Sequence, residues 1–215
     1  MTSFAIQNFG CRVNQAEAFA WAETFERQGL KLEDEATEAD LVVVNTCTLT
    51  SRADRDVKKF IRRVARTNPR AKLVVTGCYA ERAGEEIAKM PQVLLVLPNS
   101  EKRGLPERVL SLMDGLQPEA GEGPAATDTG SYRARALLKV QDGCDNACTF
   151  CIIPSVRGRS ASLGADDVLT CVRNLVGHGY REIVLAGIHL SSYGEDQRPK
   201  GSLLGLLRQV EGIDG

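Results

Sequence analysis

At 215 residues, with 43% hydrophobic and 26% charged side chains, the chain has the make-up of a globular protein of one or two domains. No apolar run approaches the roughly 18 residues of a membrane-spanning helix, and the opening MTSFAIQNFGCRVNQ lacks the basic start and apolar stretch of a signal peptide. A cytoplasmic location with no membrane partner is therefore expected, while a net charge of −1 leaves other partners open because local patches can hide in a balanced total.

The first hundred residues repeat one design three times. A short apolar run of strand type ends at its C-terminal side in a cysteine: Phe4, Ala5 and Ile6 lead to Cys11, Leu41 to Val44 lead to Cys47, and Leu73 to Val75 lead to Cys78. Unbroken β-branched runs suit strands buried on both faces, as in a parallel sheet. Between them, residues 15–28 place Ala18, Phe19, Ala22 and Phe25 at helical spacing. Ser51 and Asp54 open a second helix with Val57, Phe60, Ile61 and Val64 as its apolar stripe. A third helix is predicted over residues 84–90, a fourth strand over 93–97, and a helix over 106–113. Alternating strands and helices predict an open parallel sheet flanked by helices, whose functional crevice lies beyond the carboxyl ends of the strands. All three cysteines fall on that edge.

GLQPEAGEGPAATDTGS then interrupts the pattern with Gly, Pro, Ala and acidic residues and no apolar period. It divides the chain into a first domain at 1–115, a linker at 116–132 and a second domain at 133–215. The second domain restarts as βαβα: a strand over 136–140, the loop DGCDNACTFC, a helix over 166–176, a strand over 182–188 and a helix over 203–210. These are the first βα units of a barrel, and 83 residues from 133 to 215 fall short of the 200 or so that a closed one takes. A chain truncated within an incomplete barrel is the expectation.

Seven cysteines in a reducing compartment read as metal ligands or redox groups before they read as disulfides, and an odd number leaves one out of any pairwise scheme. Cys144, Cys148 and Cys151 share one loop with C-x3-C-x2-C spacing, directly after a strand. Three thiolates can hold three irons of a 4Fe–4S cube and leave the fourth open to a small ligand, such as the amino and carboxylate groups of S-adenosylmethionine (SAM). A structural zinc site takes four ligands, usually in C-x2-C pairs, which neither this count nor this spacing suits. Three strand-end cysteines also differ from one isolated buried thiol, which would read as packing.

The loop, with Phe150 before its last cysteine, resembles the signature of the radical-SAM superfamily. The longer stretch KVQDGCDNACTFCIIPSVRGRSAS, together with FGCRVNQAE, NTCTLTSRADR and TGCYAER upstream, resembles the methylthiotransferase branch. That resemblance implies two 4Fe–4S clusters, an auxiliary one on Cys11, Cys47 and Cys78 and a SAM-binding one on Cys144, Cys148 and Cys151. It implies that SAM is cleaved reductively to a 5′-deoxyadenosyl radical and that a methylthio group carried by the auxiliary cluster replaces a substrate hydrogen. A reducing electron donor is implied as well. Phe150 would lie near the SAM adenine, the other reading being ordinary core, and Gly187 and His189 would join it at the cofactor.

GCRVNQAE, NTCTLTSRADR, GCYAE and AGIHLSSYG lean towards the branch acting on threonylcarbamoyladenosine beside the tRNA anticodon. The branches acting on isopentenyladenosine tRNA or on a ribosomal-protein aspartate, and a non-catalytic iron–sulfur module, are the alternatives. His189, at a strand end, suits either a substrate or SAM contact or a structural histidine. His178 reads as a helix cap and Cys171 as core. Ala161 stands where another basic residue is expected after Arg157 and Arg159. From Arg52 to Lys72 the chain carries nine basic residues against Asp54 and Asp56, either a phosphate-contacting surface or a solvated helix face. None of these motifs speaks to oligomeric state.

Overall fold

A computed structural model describes residues 2–48, 50–113 and 135–214. The expected linker at 116–132 lies outside the described residues. The chain divides into two compact units, Met1–Ala120 and Gly121–Gly215.

The first unit runs β1 (Ser3–Asn8), α1 (Arg12–Arg27), β2 (Lys31–Leu32), β3 (Leu41–Thr46), α2 (Ser51–Thr67), β4 (Lys72–Gly77), α3 (Cys78–Ala88), β5 (Val93–Leu97), a 3-10 turn at Asn99–Gly104 and α4 (Leu105–Leu112). Its five strands pair in parallel in the order β2-β1-β3-β4-β5. All six residues of the central strand β3 are buried, and alternation divides them between two cores. Val42 and Val44 pack with Val57, Phe60, Ile61 and Val64 of α2 and with Tyr79 and Ile87 of α3. Leu41 and Val43 pack with Trp21 and Phe25 of α1 and with Leu105, Val109 and Leu110 of α4. Each buried valine or leucine contributes about 1.5–3 kcal/mol, so the LVVV run commits the strand to a position covered on both faces.

Three local expectations shift. α1 starts at Arg12, and its buried side holds Val13, Asn14, Glu17, Trp21 and Phe25, with Ala22 packed at its margin, while Ala18 and Phe19 are only partly covered. The polar side chains on that side disguise it, because they are buried by virtue of their hydrogen bonds. α2 is capped one residue earlier than expected, by Thr50, whose Oγ1 accepts from Ala53 N at 3.2 Å. α3 begins at Cys78 and not at residue 84, with a kink at Ala83. Gly77 permits this abrupt turn: its φ is +100°, and a Cβ there would lie 2.3 Å from the Thr46 carbonyl oxygen.

The second unit runs β6 (Arg135–Lys139), β7 (Gln141–Asp142), α5 (Ile153–Arg157), β8 (Ala161–Ser162), α6 (Ala165–Gly177), β9 (Glu182–Ala186), a 3-10 turn at Leu190–Ser192 and α7 (Leu203–Glu211). β6 and β9 pair in parallel, in register from Arg135↔Glu182 to Lys139↔Ala186. The core gathers Val140, Val168, Val172, Tyr193 and Leu206. β7 and β8 form a small antiparallel pair too short to give a sequence period. β9 ends two residues before the expected 188, and Gly187, which follows it, is pressed against Gln141, whose Oε1 lies 3.0 Å from where a Cβ would be.

Candidate iron–sulfur sites

Strand order 2-1-3-4-5 reverses direction between β1 and β3, and in open α/β sheets ligands bind beyond the strand ends at such a reversal. Helix placement agrees, since α1 and α4 cover one face and α2 and α3 the other. Cys11, the N-cap of α1, follows β1 by three residues. Cys47 and Cys78 come directly after Thr46 and Gly77, which are register partners on β3 and β4. The three expected auxiliary ligands thus share one sheet edge. Cys11 and Cys78 also lie at helix N-termini, where unmet N–H groups favour negative charge.

A buried polar network runs from Cys11 to the ends of β3 and β4. Its Sγ donates to Asn14 Oδ1 at 3.4 Å, and Asn14 Nδ2 donates to Asn45 Oδ1 and to the Thr46 carbonyl, each at 3.0 Å. Asn45 Nδ2 returns a bond to the Asn14 carbonyl at 2.9 Å and reaches Glu17 Oε2 at 3.4 Å. Glu17 forms an ion pair with Lys102 at 2.5 Å, both side chains about 95% shielded and Lys102 lying over the Trp21 ring. Removing one partner of such a pair costs about 3–5 kcal/mol, because the other charge stays buried. Thr46 Oγ1 bonds the Thr76 carbonyl at 2.6 Å and accepts from Ala80 N at 3.2 Å. Asn99 Nδ2 lies 3.8 Å from Cys78 Sγ. Asn14, Asn45, Glu17 and Lys102 were missed by sequence reasoning. The available signal was polar residues at helical spacing in line with Trp21 and Phe25.

Three thiols at one sheet edge are the donor type that an iron–sulfur group takes. Asn8 Oδ1 and Thr76 Oγ1, at the same ends of β1 and β4, are buried without a hydrogen-bond partner among the described residues. Among the described residues no three His, Cys, Asp or Glu side chains are gathered closely enough to hold a metal ion. No disulfide joins any of the seven cysteines.

In the second unit the cysteine loop is pinned at its base. Gly143 adopts φ +67°, where a Cβ would meet the Arg159 carbonyl oxygen at 2.0 Å, and Cys144 N donates to the Gly158 carbonyl at 3.2 Å. Asn146 N donates to Cys144 Sγ at 3.5 Å, and Cys151 N closes a turn on the Cys148 carbonyl at 3.1 Å. Cys148 and Cys151 face solvent. Phe150 is 91% exposed, which rules out its reading as core. Cys171 is buried, and the His178 ring meets the Asn174 carbonyl at 2.6 Å at the end of α6.

Gln141, only 1% exposed, holds this base together. Its Nε2 donates to the carbonyls of Asp142 and Gly143 at 2.9 and 2.8 Å and to Ser160 Oγ at 3.1 Å, while its Oε1 accepts from His189 N at 2.8 Å. One amide therefore joins the cysteine loop to the Gly187–His189 turn after β9. Asp142 accepts from the buried Arg157 at 2.8 Å and from Lys139 at 3.1 Å.

A cleft of about 510 Å³ opens here, its lining including Asp145, Asn146, Arg159, His189 and Asp196. His189 Nε2 lies 2.9 Å from Ser191 Oγ. Burial raises the Asp196 carboxyl, but hydrogen bonds from Ser162 Oγ and N, at 2.6 and 2.8 Å, outweigh it and hold the group below its ordinary value. Burial pushes the Tyr193 phenol up, with its OH donating to the Leu163 carbonyl at 2.7 Å. Gly187 and His189 thus stand beside the cysteine loop. The charged and polar lining suits a small zwitterionic ligand.

Residues 3–98 match the family described as Uncharacterized protein family UPF0004. The threonylcarbamoyladenosine tRNA methylthiotransferase MtaB of Bacillus subtilis is 37% identical over 92% of this chain and 46% of its own length. Its Chlamydia pneumoniae namesake is 36% identical over 99% and 49%. The tRNA-2-methylthio-N(6)-dimethylallyladenosine synthase of Geobacter metallireducens is 32% identical over 98% and 50%. The chain spans about half the length of the curated relatives it matches. In fold it is similar to the radical S-adenosylmethionine methyltransferase TsrM of Kitasatospora setae, with a TM-score of 0.55 and 13% identity over 87% of this chain and 48% of that one. Sequence relatives and fold point one way: over nearly all of its length the chain is similar to about half the length of the threonylcarbamoyladenosine tRNA methylthiotransferases named above, and its residues 3–98 match the UPF0004 family.

Proposed function

We propose that the chain serves a methylthiotransferase that places a methylthio group on C2 of N6-threonylcarbamoyladenosine next to the tRNA anticodon. The observation that supports this reading most is the pair of cysteine triads, one at three strand ends of the first unit and one in the loop after β6. Cys11, Cys47 and Cys78, in the domain at 1–115, ligate an auxiliary 4Fe–4S cluster. Cys144, Cys148 and Cys151, in the domain at 133–215, would hold a second, with SAM as its small-molecule partner. When bound, these groups supply the transferable sulfur and the means to open an unactivated C–H bond.

The chain's own residues hold and orient. Gln141 fixes the base of the cysteine loop against Gly187 and His189, so cofactor and loop keep one geometry. Phe150 offers an exposed ring for stacking on adenine. His189 and Arg159 line the cleft where SAM is held. The reaction takes electrons from an external reductant, in the cytoplasm. Transfer to dimethylallyladenosine tRNA is a second reading, favoured by the Geobacter relative at 32% identity.

Iron and labile sulfide after anaerobic reconstitution test the proposal. About eight irons per parent chain are expected. About four should remain in a triple-alanine variant of Cys11, Cys47 and Cys78, and about four in one of Cys144, Cys148 and Cys151. Four in the parent, all lost with the second variant, would end the methylthiotransferase reading. Feeding tRNAs carrying each modified adenosine and weighing the products decides the substrate.

A further inference from the structure

We infer that the outer ridge of α2 is the docking surface for the phosphate backbone of the RNA substrate, an inference that rests on the tRNA reading above.

α2 buries Val57, Phe60, Ile61 and Val64 against the sheet. On its outer side Arg55, Lys59, Arg62 and Arg66 are all exposed. Their spacing of four, three and four residues stacks them along one ridge of about 16 Å. The other cations of this helix are engaged elsewhere. Arg52 pairs with Asp56 at 3.8 Å, Lys58 with Glu86, and Arg63 lies over the Phe60 ring at 5.3 Å. None of the four ridge residues lies within ion-pairing distance of a described carboxylate. Asp54 is turned to Thr48 and Arg82. Glu86 is held below the ordinary carboxyl range by its hydrogen bond from Lys58, with Arg62 a lesser contributor through space.

A merely solvated helix face gains from alternating charge, each opposite pair at i,i+4 stabilising by about 0.2–0.5 kcal/mol and each like pair opposing by as much. Arg55–Lys59 and Arg62–Arg66 are like pairs at i,i+4, and Lys59–Arg62 is one at i,i+3. Like charges thus adjoin along the ridge, a repulsion that a bound polyanion relieves. Its position specifies the polyanion further. α2 follows β3 directly, so the Arg55 end of the ridge adjoins the edge that carries Cys47, and the ridge leads away from it. A strand whose base is presented at that edge can lay its backbone along the helix. The relatives' names specify tRNA for those proteins, and a phosphate backbone is the regular polyanion that matches a linear ridge.

The test is equilibrium binding of unmodified tRNA to the full chain between about 50 and 200 mM salt. R55Q/K59Q/R62Q/R66Q is compared with R27Q/K31Q/R103Q/R108Q, which removes as much charge elsewhere in the first unit. The ridge variant should bind about tenfold more weakly or worse at the lower salt, and its salt slope should shrink by about three to four, near 0.9 per lost contact. The control should stay within about twofold of the parent. Unchanged affinity and slope in the ridge variant would overturn the inference. So would equal binding of polyglutamate and tRNA by the parent, or no tRNA binding at all. Iron content and circular dichroism of the ridge variant keep the two readings apart. Parent values with lost tRNA binding uphold the ridge, whereas a parent that lacks the auxiliary iron fails the function whatever the ridge does.

Discussion

Gln141 shows how much of a site can rest on one neutral side chain. Its amide donates into the base of the cysteine loop and accepts from the His189 turn, so two segments of 48 residues' separation share one anchor. Gln141→Leu keeps the volume and removes the bonds, leaving buried carbonyls without a donor at about 1–3 kcal/mol each. The expected outcome is a second unit destabilised by a few kcal/mol on that scale, with faster amide exchange through residues 143–151 and less iron retained by that loop. Exchange as slow as in the parent would refute the anchoring role. The glutamine itself was not legible as functional, since in KVQDGC it reads as one more strand residue. Cysteines announce chemistry by type and spacing; an amide acquires its importance from partners distant in the sequence.

Among elements, legibility followed burial. β3 and β4 were plain because both faces of each are covered and the runs LVVV and LVV admit little else. α1 was found, but its inner side was misjudged, because Asn14 and Glu17 are buried through bonds to Asn45 and Lys102. β7 and β8, two residues each, were invisible to any periodicity, although they form the floor beneath the cysteine loop. The tie between β8 and the Gly194–Gln197 turn has its own signature. Asp196 is depressed by Ser162, so its stabilising effect is complete above the ordinary value of 3.8 and is lost as pH falls through the lower folded value. The urea midpoint of the second unit should drop on acidification through and below that range. Asp196→Asn should start lower at neutral pH and show a smaller acid-dependent drop. An identical acid profile in the variant would assign the sensitivity to another group.

At the scale of the whole molecule the two units differ in self-sufficiency. The first covers both faces of its sheet with its own helices. The second has two parallel strands and leaves Leu204 and Leu207 of α7 60% and 45% exposed. Residues 1–113 made alone should therefore unfold cooperatively, with a urea midpoint close to that of the same unit in the full chain, whereas residues 135–215 made alone should unfold at lower urea with a broad transition. A non-cooperative first fragment, followed by circular dichroism, would contradict the two-core description. No described helix is long and apolar enough to cross a membrane.

The order β2-β1-β3-β4-β5 also bears on synthesis at the ribosome. The first strand made has only the two-residue β2 to pair with until Leu41–Thr46 has emerged, so nascent Ser3–Asn8 waits through some forty residues of translation. Cys11 and Cys47 can then come to a common edge, but Cys78 joins them only once β4 is complete, because Gly77 is the last residue of that strand. Since domains fold as units while the chain lengthens, the triad is a late product of translation. A nascent chain stalled before β4 would carry two of the three thiols at an edge whose neighbouring strand does not yet exist.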